Sequence, residues 1–189
     1  MNGKVIFAAL AAASTLCACQ SSKVRISGRI VGNEARNIYL EQVTPLSERI
    51  IDSAQLDKEG NYRFEVREAT ATPSLYNVVY DGERIPLLLA AGDRLTLSSV
   101  GSVARNYTVE GSAESELLRQ FYQSYVAGVQ RLDDIAQQVA QQPAGERHDE
   151  LVKAYTEEYY RIRREQLRFI IEHKSSLAAL FALYQRLPG

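Results

Sequence analysis

Cysteine is nearly missing from this chain. The only two, Cys17 and Cys19, stand close to the N-terminus. The body therefore has no internal disulfide and no cysteine-ligated metal site. Thiol–disulfide exchange needs two thiols two residues apart, one with a lowered pKa and one to resolve the mixed disulfide. Cys17-Ala18-Cys19 has the wrong spacing for that chemistry. Histidine is equally scarce: His148 and His173 lie near opposite ends of one helical stretch, and neither has the imidazole one turn away that a helical zinc site requires. Tryptophan is absent and Met1 is the sole methionine. Neither sign of charge dominates, with 22 Lys and Arg against 23 Asp and Glu, so the chain shows no electrostatic footprint for nucleic acid. No Gly-x-Ser-x-Gly elbow, phosphate-binding glycine loop or zincin motif occurs. The expectation is a chain without catalytic residues, metal or cofactor.

What is present begins with a leader. Lys4 precedes Val5 to Leu16, an almost wholly apolar run that is too short to span a bilayer, which needs ~20 such residues. This is the anatomy of a secretory signal over residues 1–18. The run ends in Leu16-Cys17-Ala18-Cys19, which resembles a bacterial lipobox with Leu16 at −3 and Ala18 at −1. Cys17 cannot be the acceptor, because Leu16 is too large for the position before it. Plain cleavage after a small residue is the other reading, but an apolar leader ending at a cysteine favours lipidation of Cys19. Residues 19–23 would then form a short tether. The body would lie close to a membrane, in the cell envelope and on the periplasmic side.

From Val24 the pattern has period two, interrupted by turn residues. Val24, Ile26 and Ile30 alternate with polar positions, and Ile38 to Leu40 and Ile50 to Leu56 follow. Asp57 to Asn61 is a turn, after which Tyr62, Phe64 and Val66 share a face. Leu75 to Tyr80, Ile85 to Leu89, Leu95 to Leu97 and Tyr107 to Val109 complete about eight candidate strands. Short strands at regular spacing predict an antiparallel β-sandwich or barrel over residues 24–111.

Residues 112–189 change to helical spacing. Ser112 is a candidate N-cap, and Leu117, Leu118, Phe121, Tyr125, Leu132, Ile135 and Val139 recur on one side. Pro143-Ala144-Gly145 breaks the pattern before Leu151, Val152, Tyr155, Tyr159, Ile162, Phe169 and Ile170 resume it. Two amphipathic helices with a short break predict an antiparallel hairpin. A last helix from Ser176 to Leu187 places Leu177, Leu180, Phe181, Tyr184 and Leu187 on one side. The fold class is thus α+β: a sandwich, a long helical hairpin and a short C-terminal helix. Tyrosines gather on the hairpin at positions 122, 125, 155, 159 and 160, where interhelical packing is the expected role.

The ordered set of motifs resembles a known family. Ile26-x-Gly28-x-Ile30, Asn37-Ile38-Tyr39-Leu40-Glu41, Ile51-Asp52-Ser53-Ala54, Gly60-x-Tyr62-x-Phe64, Ile85 to Leu89, Ala91-Gly92-Asp93 and Val109-Glu110-Gly111-Ser112 carry the resemblance. The family is the N-terminal β-sandwich domain of unknown function in Bacteroidota lipoproteins, which usually precedes a helical linker and a TlpA-type thioredoxin-like domain. The resemblance implies no catalytic residue in this segment. It implies a thioredoxin-like partner in cis or in trans. The sequence given stops at Pro188-Gly189, which leaves open a short member of the family or a piece of a longer protein. Asp52-Ser53-Ala54 also resembles the three-residue O-glycosylation site of exported proteins in that bacterial group, which would put a glycan on Ser53.

Two functions follow as expectations. The first is a membrane-anchored, non-catalytic module that positions a thioredoxin-like oxidoreductase, docked on the apolar face of Leu177, Leu180, Phe181, Tyr184 and Leu187. The second is a stand-alone envelope lipoprotein that binds a glycan, peptide or other ligand in a concave aromatic pocket built from Tyr39, Tyr62, Tyr76 or Tyr80.

Overall fold

The computed structural model describes residues 23–32, 35–67 and 69–187. The expected leader over residues 1–18, the expected lipid acceptor Cys19 and Pro188-Gly189 lie outside the described residues. Eight strands appear where the alternation predicts them: β1 (Val24–Val31), β2 (Asn37–Thr44), β3 (Ser47–Gln55), β4 (Asn61–Val66), β5 (Ser74–Tyr80), β6 (Glu83–Leu89), β7 (Arg94–Val100) and β8 (Tyr107–Glu110). They form two four-stranded sheets, β4-β1-β7-β8 and β3-β2-β5-β6. The inward positions of both sheets meet in one core that includes Ile26, Phe64, Leu97, Leu40, Val78 and Leu87. Antiparallel pairing joins every neighbouring pair but one. The exception within this antiparallel sandwich is β1 and β7, which run parallel. No hairpin links these two strands, so their direction is set by the crossovers between sheets rather than by a turn.

Inside the core, Gly28 faces Tyr62 across the β1–β4 ladder. A Cβ at Gly28 would stand 1.6 Å from the Leu97 carbonyl oxygen and 3.0 Å from the Tyr62 hydroxyl. The absent side chain is what allows that hydroxyl to reach and donate to the Leu97 carbonyl at 2.9 Å. A buried phenol without an acceptor would be costly, so glycine and tyrosine are coupled choices.

The helices are α1 (Ala113–Gln141), α2 (Glu146–Glu172) and α3 (Leu177–Tyr184). Ser112 caps α1 as expected, accepting from the Ser115 N–H. The last helix is shorter than the apolar run suggested. Gln185 is already extended, and its N–H closes the helix on the Ala182 carbonyl. A proline at 188 also disfavours helical geometry at the residue before it.

The first turns of α1 lie along the open side of the sandwich, between edge strands β6 and β8. Ser115 Oγ donates to the Leu88 carbonyl at 2.7 Å and accepts from the Leu88 N–H at 3.0 Å. Gln123 Nε2 donates to the Tyr107 carbonyl on β8 at 2.8 Å. Glu83 at the start of β6 accepts from Ser102 Oγ and the Val103 N–H, both at 2.7 Å, drawing in the β7–β8 loop. Exposed edges invite pairing with other chains, and here side chains satisfy backbone groups at Leu88 of β6 and Tyr107 of β8. The outward residues Leu75 and Leu88 of the second sheet pack with Leu118, Leu177 and Ala178. The helices therefore cover the outer face of β5–β6, and the apolar clusters of the body lie between residues 24 and 187. Residues 24–187 thus carry a core of their own.

Candidate docking surface

In the seam between α1 and α2, which is lined mostly by large side chains, one glycine stands opposite an isoleucine. Gly128 is buried, and a Cβ there would meet Ile162 Cγ1 at 2.8 Å. Ile162 therefore occupies the space the glycine leaves. One turn on, Arg131 from α1 donates to Glu158 of α2 at 2.7 Å, and Arg161 donates to the same carboxylate at 2.6 Å and to Glu165 at 2.6 Å. The Arg161 hydrogen bond, with Arg131 behind it, holds Glu158 down to about 2. Arg163 of the same helix donates to Gln166 at 2.8 Å.

Against this hairpin α3 is fastened along one side. Ser176 caps its start by accepting from the Ala178 N–H, and its hydroxyl donates to Glu114 of α1 at 2.6 Å. Ala178, Ala179 and Ala182 are buried, and such small residues let the backbone approach its neighbours closely. Gln166, itself buried, donates to the carbonyls of Ala182 at 2.6 Å and Gln185 at 2.9 Å. Tyr125 donates to the Arg186 carbonyl at 2.7 Å. Carbonyls at and just past the C-terminus of α3 are thereby given donors from α1 and α2.

The five residues expected on one apolar face are divided. Leu177 packs beside Leu88 and Leu118, Leu187 joins the hairpin cluster, and Phe181 meets Tyr122 and Phe121 edge-on at 6.1 and 6.5 Å. Leu180 and Tyr184 point outward, 47% and 74% exposed. Leu183, which the sequence reading did not single out, joins them at 59%. Spacings of three and four residues place the three on one side of the helix. On the adjoining end of α2, Leu167 and Ile171 are also exposed. Large exposed apolar side chains thus gather at the end of α2 and on α3. The helix is apolar nearly all round, so no periodicity could mark its outer side; the three alanines were the usable signal.

Among the described residues the four tyrosines expected to line an aromatic pocket do not converge on one. Tyr76 alone borders a polar depression of about 500 Å³ beside Gln42, Arg49 and Asp52. Tyr62, Tyr76 and Tyr80 are buried in the inter-sheet core, and the Tyr80 hydroxyl is used on the Ala35 carbonyl at 2.6 Å. Tyr39 is half-buried on the outward side of β2, away from the other three. Period-two alternation put these tyrosines on inner faces, and burial raises the pKa of Tyr62 and Tyr76. On the hairpin, Tyr125, Tyr155 and Tyr159 pack in the interhelical cluster, while Tyr160 is exposed. A groove of about 280 Å³ between α1 and α2 is floored by Phe121, Tyr125, Ile162 and Phe169. It is small beside ligand sites of about 300–1,000 Å³.

Ser53 is exposed on edge strand β3, one residue after the Asp52 whose side chain accepts from the Ser53 N–H at 2.8 Å. A bulge opposite Leu40 and Glu41 adds Ile51 to the strand just before it. His148 contacts Asp149 at 3.5 Å, and among the described residues no group of three or more candidate metal ligands is found. No described helix is long and apolar enough to cross a membrane.

No model of a known protein family matches the chain, and no curated protein matches it either.

Proposed function

We propose that this protein is a lipid-anchored accessory module of the bacterial cell envelope, on the periplasmic side, that catalyses no reaction of its own. It positions a thioredoxin-like thiol–disulfide oxidoreductase domain, carried on the same polypeptide or on a partner, against helix α3. The observation that carries this reading is the outward row of Leu180, Leu183 and Tyr184 on a helix whose other side is pinned. An apolar surface presented on a fixed support suits a partner that covers it without reordering the helix. The order of motifs along the chain supplies the identity of the occupant, and the lipobox-like Leu16 to Cys19 supplies the anchor. The thiols of the reaction belong to the docked domain, since this chain brings no Cys-x-x-Cys.

A photo-crosslinking residue in place of Leu183, expressed in the native membranes, tests the reading. The expected adduct contains a Cys-x-x-Cys thioredoxin-like domain. It should disappear when Leu180 is replaced by Asp, with the melting temperature unchanged. Adducts only to lipid, or only to proteins without that domain, would overturn the docking function.

A further inference from the structure

The outer face of β4-β1-β7 carries a charge pattern that stability does not explain. Arg25 and Arg94 are register partners on parallel strands β1 and β7, and both are exposed. Like charges placed directly opposite in a sheet are destabilising. Glu65 flanks Arg25 on β4, but its carboxylate is divided among Lys23 at 3.1 Å, Arg67 at 3.4 Å and Arg25 at 3.8 Å. Among the described residues neither Arg63 nor Arg94 makes an ion pair. The next acid on the face, Glu110, stands across Thr96 on β8. Asp93, beside Arg94, turns its carboxylate to the Ala90 N–H at 2.9 Å.

Between the three arginines lies a shallow depression of about 510 Å³, bordered also by the Glu65 carboxylate that Lys23, Arg67 and Arg25 neutralise, with Ser27 and Thr96 on its floor. Guanidinium groups around hydroxyl donors match the oxygens of a phosphate, which arginine can bind in bidentate fashion. The location adds a second argument. β1 and β7 begin, and β4 ends, at the same rim of the sheet, so Lys23, Arg25, Arg67 and Arg94 all gather there. Lys23 is four residues beyond Cys19, a length of chain that spans at most about 14 Å. If Cys19 carries the lipid, as the reading above has it, this basic rim cannot stand far from the headgroups.

We infer that the face centred on Arg25, Arg63 and Arg94 binds the phosphate groups of anionic membrane lipids and seats the first sheet against the bilayer. The helices cover the outer face of the opposite sheet, so this seating turns α3 away from the membrane and towards the compartment where a partner domain would approach. The proposal rests on the envelope reading for its setting, but the surface chemistry is testable without the anchor.

The body from residue 20 onward, which lacks Cys19, is mixed with vesicles of pure zwitterionic lipid or vesicles rich in anionic phospholipid and sedimented. Binding is expected on the anionic vesicles alone, with release at high salt. Arg25→Thr combined with Arg94→Thr should weaken it about tenfold or more, because each basic residue near an anionic surface contributes separately. Arg147→Gln, at the far tip of the hairpin, should change nothing. The double variant should melt no lower than the parent, since it removes a like-charge pair. Equal binding to both vesicle types, or unchanged binding by the folded double variant, would overturn the proposal. Release by millimolar inorganic phosphate at constant ionic strength would also overturn it, by making soluble phosphate the ligand. The intact mass of the native protein reports separately whether Cys19 carries lipid, so failure of the anchor and failure of this surface are read in different experiments.

Discussion

The Ser115 hydroxyl serves both backbone groups of Leu88, giving its proton to the carbonyl at 2.7 Å and accepting from the N–H at 3.0 Å. One helix side chain thereby does for edge strand β6 what a ninth strand would otherwise do. It also ties the helices to the sandwich at a buried point, since Ser115 is fully inaccessible. A linker helix that could swing freely would not show such a bond.

Replacing Ser115 by Ala leaves the Leu88 N–H without its acceptor, while Ser112 Oγ still reaches the carbonyl at 3.1 Å. The expected cost is about 1–3 kcal/mol, the penalty for an unsatisfied buried group. Urea unfolding should show a lower midpoint. Hydrogen exchange should quicken at Leu88 before it does at the central strands.

Gly128→Ala sets helix propensity against packing. An exposed site would gain about 1 kcal/mol from the change. Here the new Cβ meets Ile162 Cγ1 at 2.8 Å, close to a branch point that cannot swing away. Overpacking of this kind costs about 1–3 kcal/mol, so a net destabilisation is expected. Adding Ile162→Val should recover part of the loss in a double-mutant comparison of melting temperatures.

Glu158 makes the hairpin sensitive to acid. Its folded pKa is lowered from the ordinary 4.5 to about 2, chiefly by the hydrogen bond from Arg161. A depressed carboxylate pKa contributes stability that is complete above the unfolded value and lost as pH falls through the folded one. Helix stability should therefore decline between about pH 4.5 and pH 2, as followed by circular dichroism. Glu158→Gln should be less stable at neutral pH and should flatten that part of the profile.

Gln166→Leu removes the donor to the Ala182 and Gln185 carbonyls without emptying the site. The hairpin should persist while α3 loosens. Faster exchange at residues 182 to 187, with α1 and the first strands unchanged, is the expected pattern. Uniform exchange across the chain would show instead that α3 is required for the whole fold.

Much of this architecture is written in local pattern. Alternation at Tyr62, Phe64 and Val66, the Asp57 to Asn61 turn and the Ser112 cap each depend on residues a few positions apart. These elements were therefore legible before any tertiary contact was known. The same local logic put Tyr62 on the face of Phe64 and Val66, yet it could not say that the Tyr62 and Tyr80 hydroxyls would find carbonyls at Leu97 and Ala35. Those acceptors are distant in the chain.

The candidate surface divides in the same way. Sequence alone determined that Ser176 to Leu187 is an apolar run with helical spacing, and that Arg25 alternates with Val24 and Ile26 on its strand. Only the tertiary structure decided that α3 buries its alanines and leaves Leu180, Leu183 and Tyr184 outside, and that Arg25 and Arg94 become neighbours through a parallel pairing. The physical reason is range. Hydrogen-bonded turns and side-chain periodicity act over a few residues, whereas strand partners and helix faces are selected by the burial of surfaces that meet only when the whole chain closes.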